Sequence, residues 1–535
     1  MLKDLYVMKV DAKQELDNIN SQEGLELYKK SILIPNGINI DSIYDGDVYF
    51  LVGEKGAGKT ALLIYVALKA EEMFEAERSF IIFKEFSQEE REDYTKMSHI
   101  THYEQEDILP YYDYEYVWRW IIHNNIAETI ETSMKEIFIP NDDLSLYLAA
   151  VKAIEKNPRG DKRYFPVISK DGYVKASTNV PIGGASINLE GRINFEREPS
   201  QSNKIRFSTH INELDRLFVN LSAGNSQLYV VIDEMNLSTK NHEEYDRDIQ
   251  LIRDSIIIID KFNALCKNSH DNVRIIGSVR NEVINSVKSR GKEVNKIIES
   301  YSIPIDWTIY REEKITHPLI KVLINYIRLS DVSGNNYNRY NDEELYKRLI
   351  TESFYKDTPS VSTILDYTLY RPRHVVRLLS ALKRLCPNAK KITREVFDSI
   401  KRDYGRECWN EVTEDLSLKY SSDELYKIQE WLTGMPYFTT YSDMLKKAES
   451  LWEASDKELL ERFPDIIRDI YKAGIIGNIT KENIGYGTIH MKHRWSFRGD
   501  DILLQKQHIQ IHRIFQQILS TTRPEKHFFE LINPI

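Results

Sequence analysis

The chain has 535 residues, 41% hydrophobic and 29% charged, with 72 Lys and Arg against 82 Asp and Glu for a net charge of −10. That balance fits two to four folded domains and excludes a disordered chain. An acidic excess also argues against non-specific coating of nucleic acid, which needs clustered Lys and Arg. Cys266, Cys386 and Cys408 are far apart and form no CxxC, so neither a zinc ribbon nor a disulfide framework is expected, and a reducing, cytoplasmic compartment is. The segment 1–44 opens without the apolar core of a signal peptide. The longest apolar run, Ala61 to Leu68, is too short to span a bilayer, so no membrane anchor is expected.

Val48 to Val52 is a short apolar run suited to a strand buried on both faces. Gly53-Glu54-Lys55-Gly56-Ala57-Gly58-Lys59-Thr60 follows, matching the phosphate-loop pattern GxxxxGK[ST], and from Ala61 onward the run ALLIYVALKAEEMF predicts a helix with Leu62, Leu63, Val66 and Ala70 on its apolar stripe. Each part has a chemical reason. Glycines let successive N–H groups curl around a phosphate, and the helix start adds its positive dipole end. Lys59 supplies a cation for the β- and γ-phosphates, and Thr60 a hydroxyl ligand for Mg²⁺. The segment 53–61 is therefore the expected nucleotide site.

A second strand is expected at Ser79 to Glu85, then an insertion at about 86–207. The insertion carries a predicted helix, Tyr114 to Ile130, and a β-like patch, Tyr173 to Glu196, with Gly183, Gly184 and Gly191; a surface hairpin or a partner contact are both open readings. Leu228-Tyr-Val-Val-Ile-Asp-Glu-Met-Asn236 then reads as a strand ending in Asp233 and Glu234. Asp233 is expected to hold Mg²⁺, and Glu234 to polarise the attacking water. The acid-rich run Asn241 to Asp248 reads as a solvated loop, and a long helix is expected over Asp248 to Asn268. No NKxD guanine-reading motif occurs, which favours ATP over GTP.

The adjacent Asp-Glu pair resembles the plan of AAA+, STAND and RecA-like ATPases, in which an extra strand separates the phosphate-loop strand from the acidic one. Asn272 to Asn281 looks like the sensor-1 strand of AAA+ proteins, and its Ser-Val-Arg ending like the Arg-terminated strand of STAND ATPases. The resemblance implies that Ser278 or Arg280 reads the γ-phosphate. Tyr301 to Trp307 closes the core, and Arg290, beside Lys292, is the implied arginine finger toward a neighbour's ATP; a solvated basic loop is the plainer reading. In the helical segment 313–400, Tyr370 to Leu379 resembles the sensor-2 helix of AAA+ lids, with Pro372 at its start. Arg371 or Arg373 would touch the γ-phosphate, while Arg373, Arg377 and Arg384 otherwise read as a cationic outer face.

The C-terminal part looks like a winged helix: a first helix at Ser421 to Leu432, a third at Phe463 to Gly474, then β-like runs Ile475 to Ile479 and Gly487 to Phe497. His508 and His512 sit four apart on an expected helix, Leu503 to Ile518, without the other parts of a metal motif. Trp409, Trp431, Trp452 and Trp495 read as core anchors rather than a base-stacking set.

The implied fold is thus α/β: a three-layer P-loop NTPase core at 45–312, a helical lid at 313–400, and a winged-helix-like domain with a C-terminal helix at 401–535. The layout resembles bacterial AAA+ and STAND-related ATPases, including origin-recognition ATPases and ATPases encoded near genome-defence genes, although the STAND glycine-x-proline signature does not occur in the segment 313–400. It implies an Mg²⁺-dependent, homo-oligomeric ATPase switch that regulates a protein effector, in phage or genome defence. Two alternatives stay open. One is a DNA-directed loader using the winged helix and the basic cluster Lys492, Arg494 and Arg498; the other is a nucleotide-binding scaffold that does not hydrolyse.

Overall fold

Five short apolar runs line up in parallel to form one sheet in the computed structural model, which describes residues 1–35, 37–99, 113–155, 177–182, 185–190, 207–237, 242–288, 294–310, 312–330, 337–355, 358–417, 419–452, 456–483, 489–500 and 502–523. The strands are β1 (Phe50–Gly53), β2 (Glu77–Ile82), β3 (Leu228–Asp233), β4 (Val273–Arg280) and β5 (Ser302–Ile305), in the order β2–β3–β4–β1–β5. β4 therefore lies between β1 and the acidic strand β3. All six residues of β3 are buried, which is why its sequence is a continuous apolar run without alternation.

Parallel neighbours require crossovers, and helices supply them. α1 (Lys59–Phe74) follows β1, and α2 (Glu115–Thr132), α3 (Asp142–Glu155) and α4 (Phe207–Val219) lie between β2 and β3. α5 (His242–Ser269) leads from β3 to β4. Leu62, Leu63, Val66 and Ala70 of α1 are buried, as its pattern predicts. α2 is core rather than appendage: Trp118 is fully buried and its indole N–H donates to the Leu251 carbonyl at 2.7 Å. Of the β-like patch, Ser177–Ile182 and Ala185–Glu190 form an antiparallel hairpin; Gly183, Gly184 and Gly191 lie outside the described residues.

The acid-rich run after β3 is not the solvated loop its composition suggests. α5 already begins at His242, and Asp248 is fully buried. Its partner comes from far away: Arg91 reaches Asp248 at 2.6 Å while donating to the Phe83 and Phe86 carbonyls and lying over the Phe83 ring. A buried carboxylate is tolerated where such a cation meets it.

The chain divides into two compact units, one of residues 36–55 and 59–305, the other of 1–35, 56–58 and 306–535. The second unit is built from α6 (Pro318–Leu329), α7 (Ser360–Tyr367), α8 (Pro372–Leu385) and α9 (Arg394–Leu416), with the N-terminal residues strapped on by backbone bonds from Leu2 to Ala389 and Lys3 to Pro387, both 2.9 Å. Further on, α10 (Ser422–Leu432), β6 (Phe438–Thr439), α11 (Tyr441–Trp452), α12 (Phe463–Lys472), β7 (Ile476–Asn483), β8 (Ile489–Arg494) and β9 (His508–Ile511) follow in order. The strands form an antiparallel sheet in the order β6–β9–β7–β8. Trp409, Trp431, Trp452 and Trp495 are all buried.

Two readings of this region are corrected. His508 belongs to a strand, not to a helix over 503–518, because His-Ile-Gln-Ile alternates and places Ile509 and Ile511 in the core; only Arg513–Gln516 is helical, capped by the buried His512. Arg377 does not face solvent: α8 turns it inward onto Glu411 of α9.

α9 packs so closely on the chain around Ile514 that a Cβ on Gly405 would sit 2.5 Å from the Ile514 carbonyl oxygen. Backbone cannot yield as a side chain can. Gly405→Ala is expected to lose about 1–3 kcal/mol of stability despite its better helix propensity. Urea unfolding of the two proteins checks this; an unchanged or raised midpoint contradicts it.

Candidate functional site

Parallel sheets of this kind offer a site at the carboxyl ends of their strands. Register brings the predicted residues to that edge. Gly53 at the end of β1 pairs with Arg280 at the end of β4, and Ile82 pairs with Asp233. Ile232 pairs with Gly277, so Asp233 and Ser278 are the next residues along neighbouring strands. The Ser278 hydroxyl donates to Asp233 Oδ1, and both residues are buried.

Lys59, the first residue of α1, folds back beneath its own loop. Its Nζ donates to the Gly53 and Glu54 carbonyls, each at 2.9 Å. The residue is only 7% exposed. Burial lowers its pKa to about 8, with the Arg280 guanidinium pushing the same way and Glu282, Asp233 and Glu54 opposing. Thr60 and Ala61 follow, partly exposed, in the first turn of α1. Lys55 is also partly exposed. Glu54 Oε1 accepts from Asn281 Nδ2 at 2.9 Å, and Arg280 Nη1 lies 3.6 Å from Glu282.

Glu234 leaves β3 with φ +55°, the left-handed region, which costs a residue with a Cβ about 1–2 kcal/mol. Strained positions of this kind gather at functional sites. Met235 beyond it is buried against β4, where a Cβ on Gly277 would meet its Cε at 3.2 Å. Gly277 thus makes room for the turn that presents Glu234.

Gly56, Ala57 and Gly58 belong to the other unit. Gly56 and Gly58 have φ of +79° and +92°, which glycine adopts freely. Within that unit the Arg373 amide donates to the Gly56 carbonyl at 3.3 Å, and a Cβ on Gly56 would meet Arg373 Cβ at 3.3 Å and Arg371 Cδ at 3.6 Å. The two arginines differ. Arg373 Nη1 is bound to Glu411 at 3.1 Å, whereas no ion pair is seen for Arg371 among the described residues. Arg290 lies outside the described residues.

Three residues that the sequence reading passed over take part. Asn281 holds Glu54, Trp307 donates its indole N–H to the Ala57 carbonyl at 2.9 Å, and Glu411 gathers Arg373, His374 and Arg377. A polar residue just past β4 was a visible signal for Asn281. The other two carry no local signal. Cys408, His374 and Glu411 are spaced like a nucleophilic triad, with Sγ···Nδ1 at 3.6 Å and Nε2···Oε2 at 3.4 Å, but Cys408 is fully buried and burial pushes its thiol up to about 12. It is an inert core thiol.

The basic cluster of the C-terminal sheet is largely neutralised within the fold. Arg494 pairs with Asp500 at 2.8 Å, and Arg498 with Glu313 at 3.4 Å and Asp366 at 3.7 Å. Asp113, Glu115 and Asp254 come together, but Glu115 takes Lys261 and Asp254 takes Arg253, so cations of the chain already neutralise two of the three. No helix among the described residues is long and apolar enough to cross a membrane. The chain matches no protein-family model and no curated protein.

Proposed function

We propose that this chain is a P-loop ATPase, binding ATP with Mg²⁺ around Lys59 and hydrolysing its γ-phosphate. One observation carries the reading: a lysine only 7% exposed with no carboxylate in ion-pair range among the described residues. Burying a cation without a counter-charge is costly. Here the ammonium's direct partners are two carbonyls of a glycine loop, with Glu282, Asp233 and Glu54 acting only from beyond ion-pair range, at the edge where the strand ends in Asp233. A phosphate supplies the missing negative charge.

In this reading Lys59 bridges the β- and γ-phosphates, Thr60 and Asp233 hold Mg²⁺, and Ser278 fixes the Asp233 carboxylate. Glu234 polarises water. Arg280 sits where charge develops on the γ-phosphate. The wider proposal, supported by resemblance, is a switch: ATP orders an assembly of copies with Arg290 of one at the ATP of the next, and hydrolysis releases a protein effector. The C-terminal helices and antiparallel sheet serve as a winged-helix-like docking module. The neutralised arginines favour a protein over DNA there.

The lysine gives the test its pH dependence. Phosphate binding needs Lys59 charged, so above pH 8 binding must restore its proton. ATP affinity is expected to hold to about pH 8 and then fall, by up to about tenfold per pH unit, the limit for one proton. Calorimetry at pH 9 in two buffers of different ionisation enthalpy measures the uptake. No binding at pH 7, or a constant Kd to pH 10, defeats the assignment. For the ligand-free fold the sign is opposite. The unfolded lysine keeps its proton to about 10.5, so this group makes stability rise with pH between about 8 and 10.5.

A further inference from the structure

A peptide loop that cradles phosphate must point N–H groups at the anion and turn the matching carbonyls away. The trans peptide is planar, with each C=O on the opposite side from the next N–H. Whatever holds the carbonyls therefore aims the amides. At the crest of this loop the holders can be named. The Gly56 carbonyl accepts from the Arg373 amide at 3.3 Å, and the Ala57 carbonyl from the Trp307 indole at 2.9 Å. The N–H groups of Ala57 and Gly58 consequently face the other way. Among the described residues they donate to no protein acceptor.

β5 pairs with β1 in parallel, with Ile305 opposite Gly53, so the chain leaves both strands at the same edge. One strand runs on into the loop, and the other reaches Trp307 two residues later. Trp307 is 6% exposed and Ala57 is 3% exposed. A carbonyl so enclosed has little access to water as a substitute donor. An indole also brings a flat, rigid ring that fixes where its single donor lies.

We propose that Trp307 is a positioning residue for phosphate binding. By holding the Ala57 carbonyl it presets the Gly58 amide toward the anion, while the Arg373 amide does the same for Ala57. Trp307 touches no nucleotide itself. The proposal rests on the nucleotide reading above. Without the indole donor the crest visits other orientations, and the apparent Kd rises in proportion to the lost population of the binding form.

The test compares the full chain with Trp307→Phe, which keeps an aromatic ring and removes the donor. Binding of Mg·ATP and of inorganic tripolyphosphate is measured for both. Loss of one hydrogen bond to a buried acceptor is expected to weaken both ligands by about tenfold and by the same factor. Affinities within twofold of the parent, or loss for ATP with tripolyphosphate unchanged, overturn the role assigned to Trp307. Failure of the unsubstituted chain to bind either ligand overturns the nucleotide reading and this proposal together. Should the variant not fold, the unsubstituted chain with ¹⁵N-labelled tryptophan decides. The Trp307 indole N–H is expected to be protected from exchange and to shift on titration with ADP, and a rapidly exchanging signal that tripolyphosphate and ADP both leave in place counts against the proposal.

Discussion

Glu234→Gln should reduce steady-state phosphate release by about 10²–10⁴-fold while ATP remains bound, the range expected when a general base is removed. The substitution keeps the shape of the side chain, and the backbone keeps its left-handed turn at φ +55°. What disappears is the charge that, in the proposed mechanism, draws a proton from water. Asp233 is different in kind. It is 3% exposed and receives the Ser278 hydroxyl, so its carboxylate is held in place, as the proposed metal-holding role requires. Asp233→Asn is accordingly expected to weaken the Mg²⁺ dependence of binding. Equilibrium ATP binding beside single-turnover hydrolysis separates the two, because loss of metal lowers both and loss of the base lowers only the second. The Glu234→Gln protein held in ATP also reads the assembly step, as a larger particle with ATP than without. Undiminished hydrolysis by Glu234→Gln moves the base elsewhere.

Glu411→Ala is expected to cost about 3–5 kcal/mol of stability, the range for removing one partner of a buried ion pair. Glu411 is 7% exposed and Arg377 9%, and Arg373 and His374 share the same carboxylate. Alanine leaves the Arg377 charge buried without its main partner. The side chains join α8 to α9, so the loss should appear as cooperative unfolding of their unit at lower urea. A midpoint near that of the parent protein defeats the expectation.

Acid should act on the same cluster. Burial alone raises the Glu411 carboxyl, but the His374 hydrogen bond and the Arg377 and Arg373 guanidiniums outweigh it and hold it well below the ordinary carboxylate range. Its contribution is therefore present above the unfolded pKa and is lost as pH falls. Burial lowers His374 to about 4. The unfolded imidazole takes up its proton first, so stability also falls between about pH 6.5 and 4.

Much of this protein was legible along the chain. Gly53 to Thr60 reads as a strand-loop-helix because glycines, a lysine and an apolar stripe lie next to one another, and β1 and α1 form there. Continuous apolar runs marked β3 and β4, since strands buried on both faces need no polar alternation. Ser421 caps α10, and Gly474 at φ +76° follows α12, both signals written in neighbouring residues.

Partnership was decided only in three dimensions. Ser278 meets Asp233 across 45 residues and Trp307 meets Ala57 across 250, distances over which no pattern in the chain carries information. Charged residues misled for the same reason. Asp248 and Arg377 read as solvated because a charge by itself belongs in water, yet each is buried against an opposite charge brought from elsewhere in the chain. Periodicity along a chain tells which side chains must leave water. Which groups meet them there depends on packing: a strand between β1 and β3 was expected, but the meeting of its Ser278 with Asp233 was not.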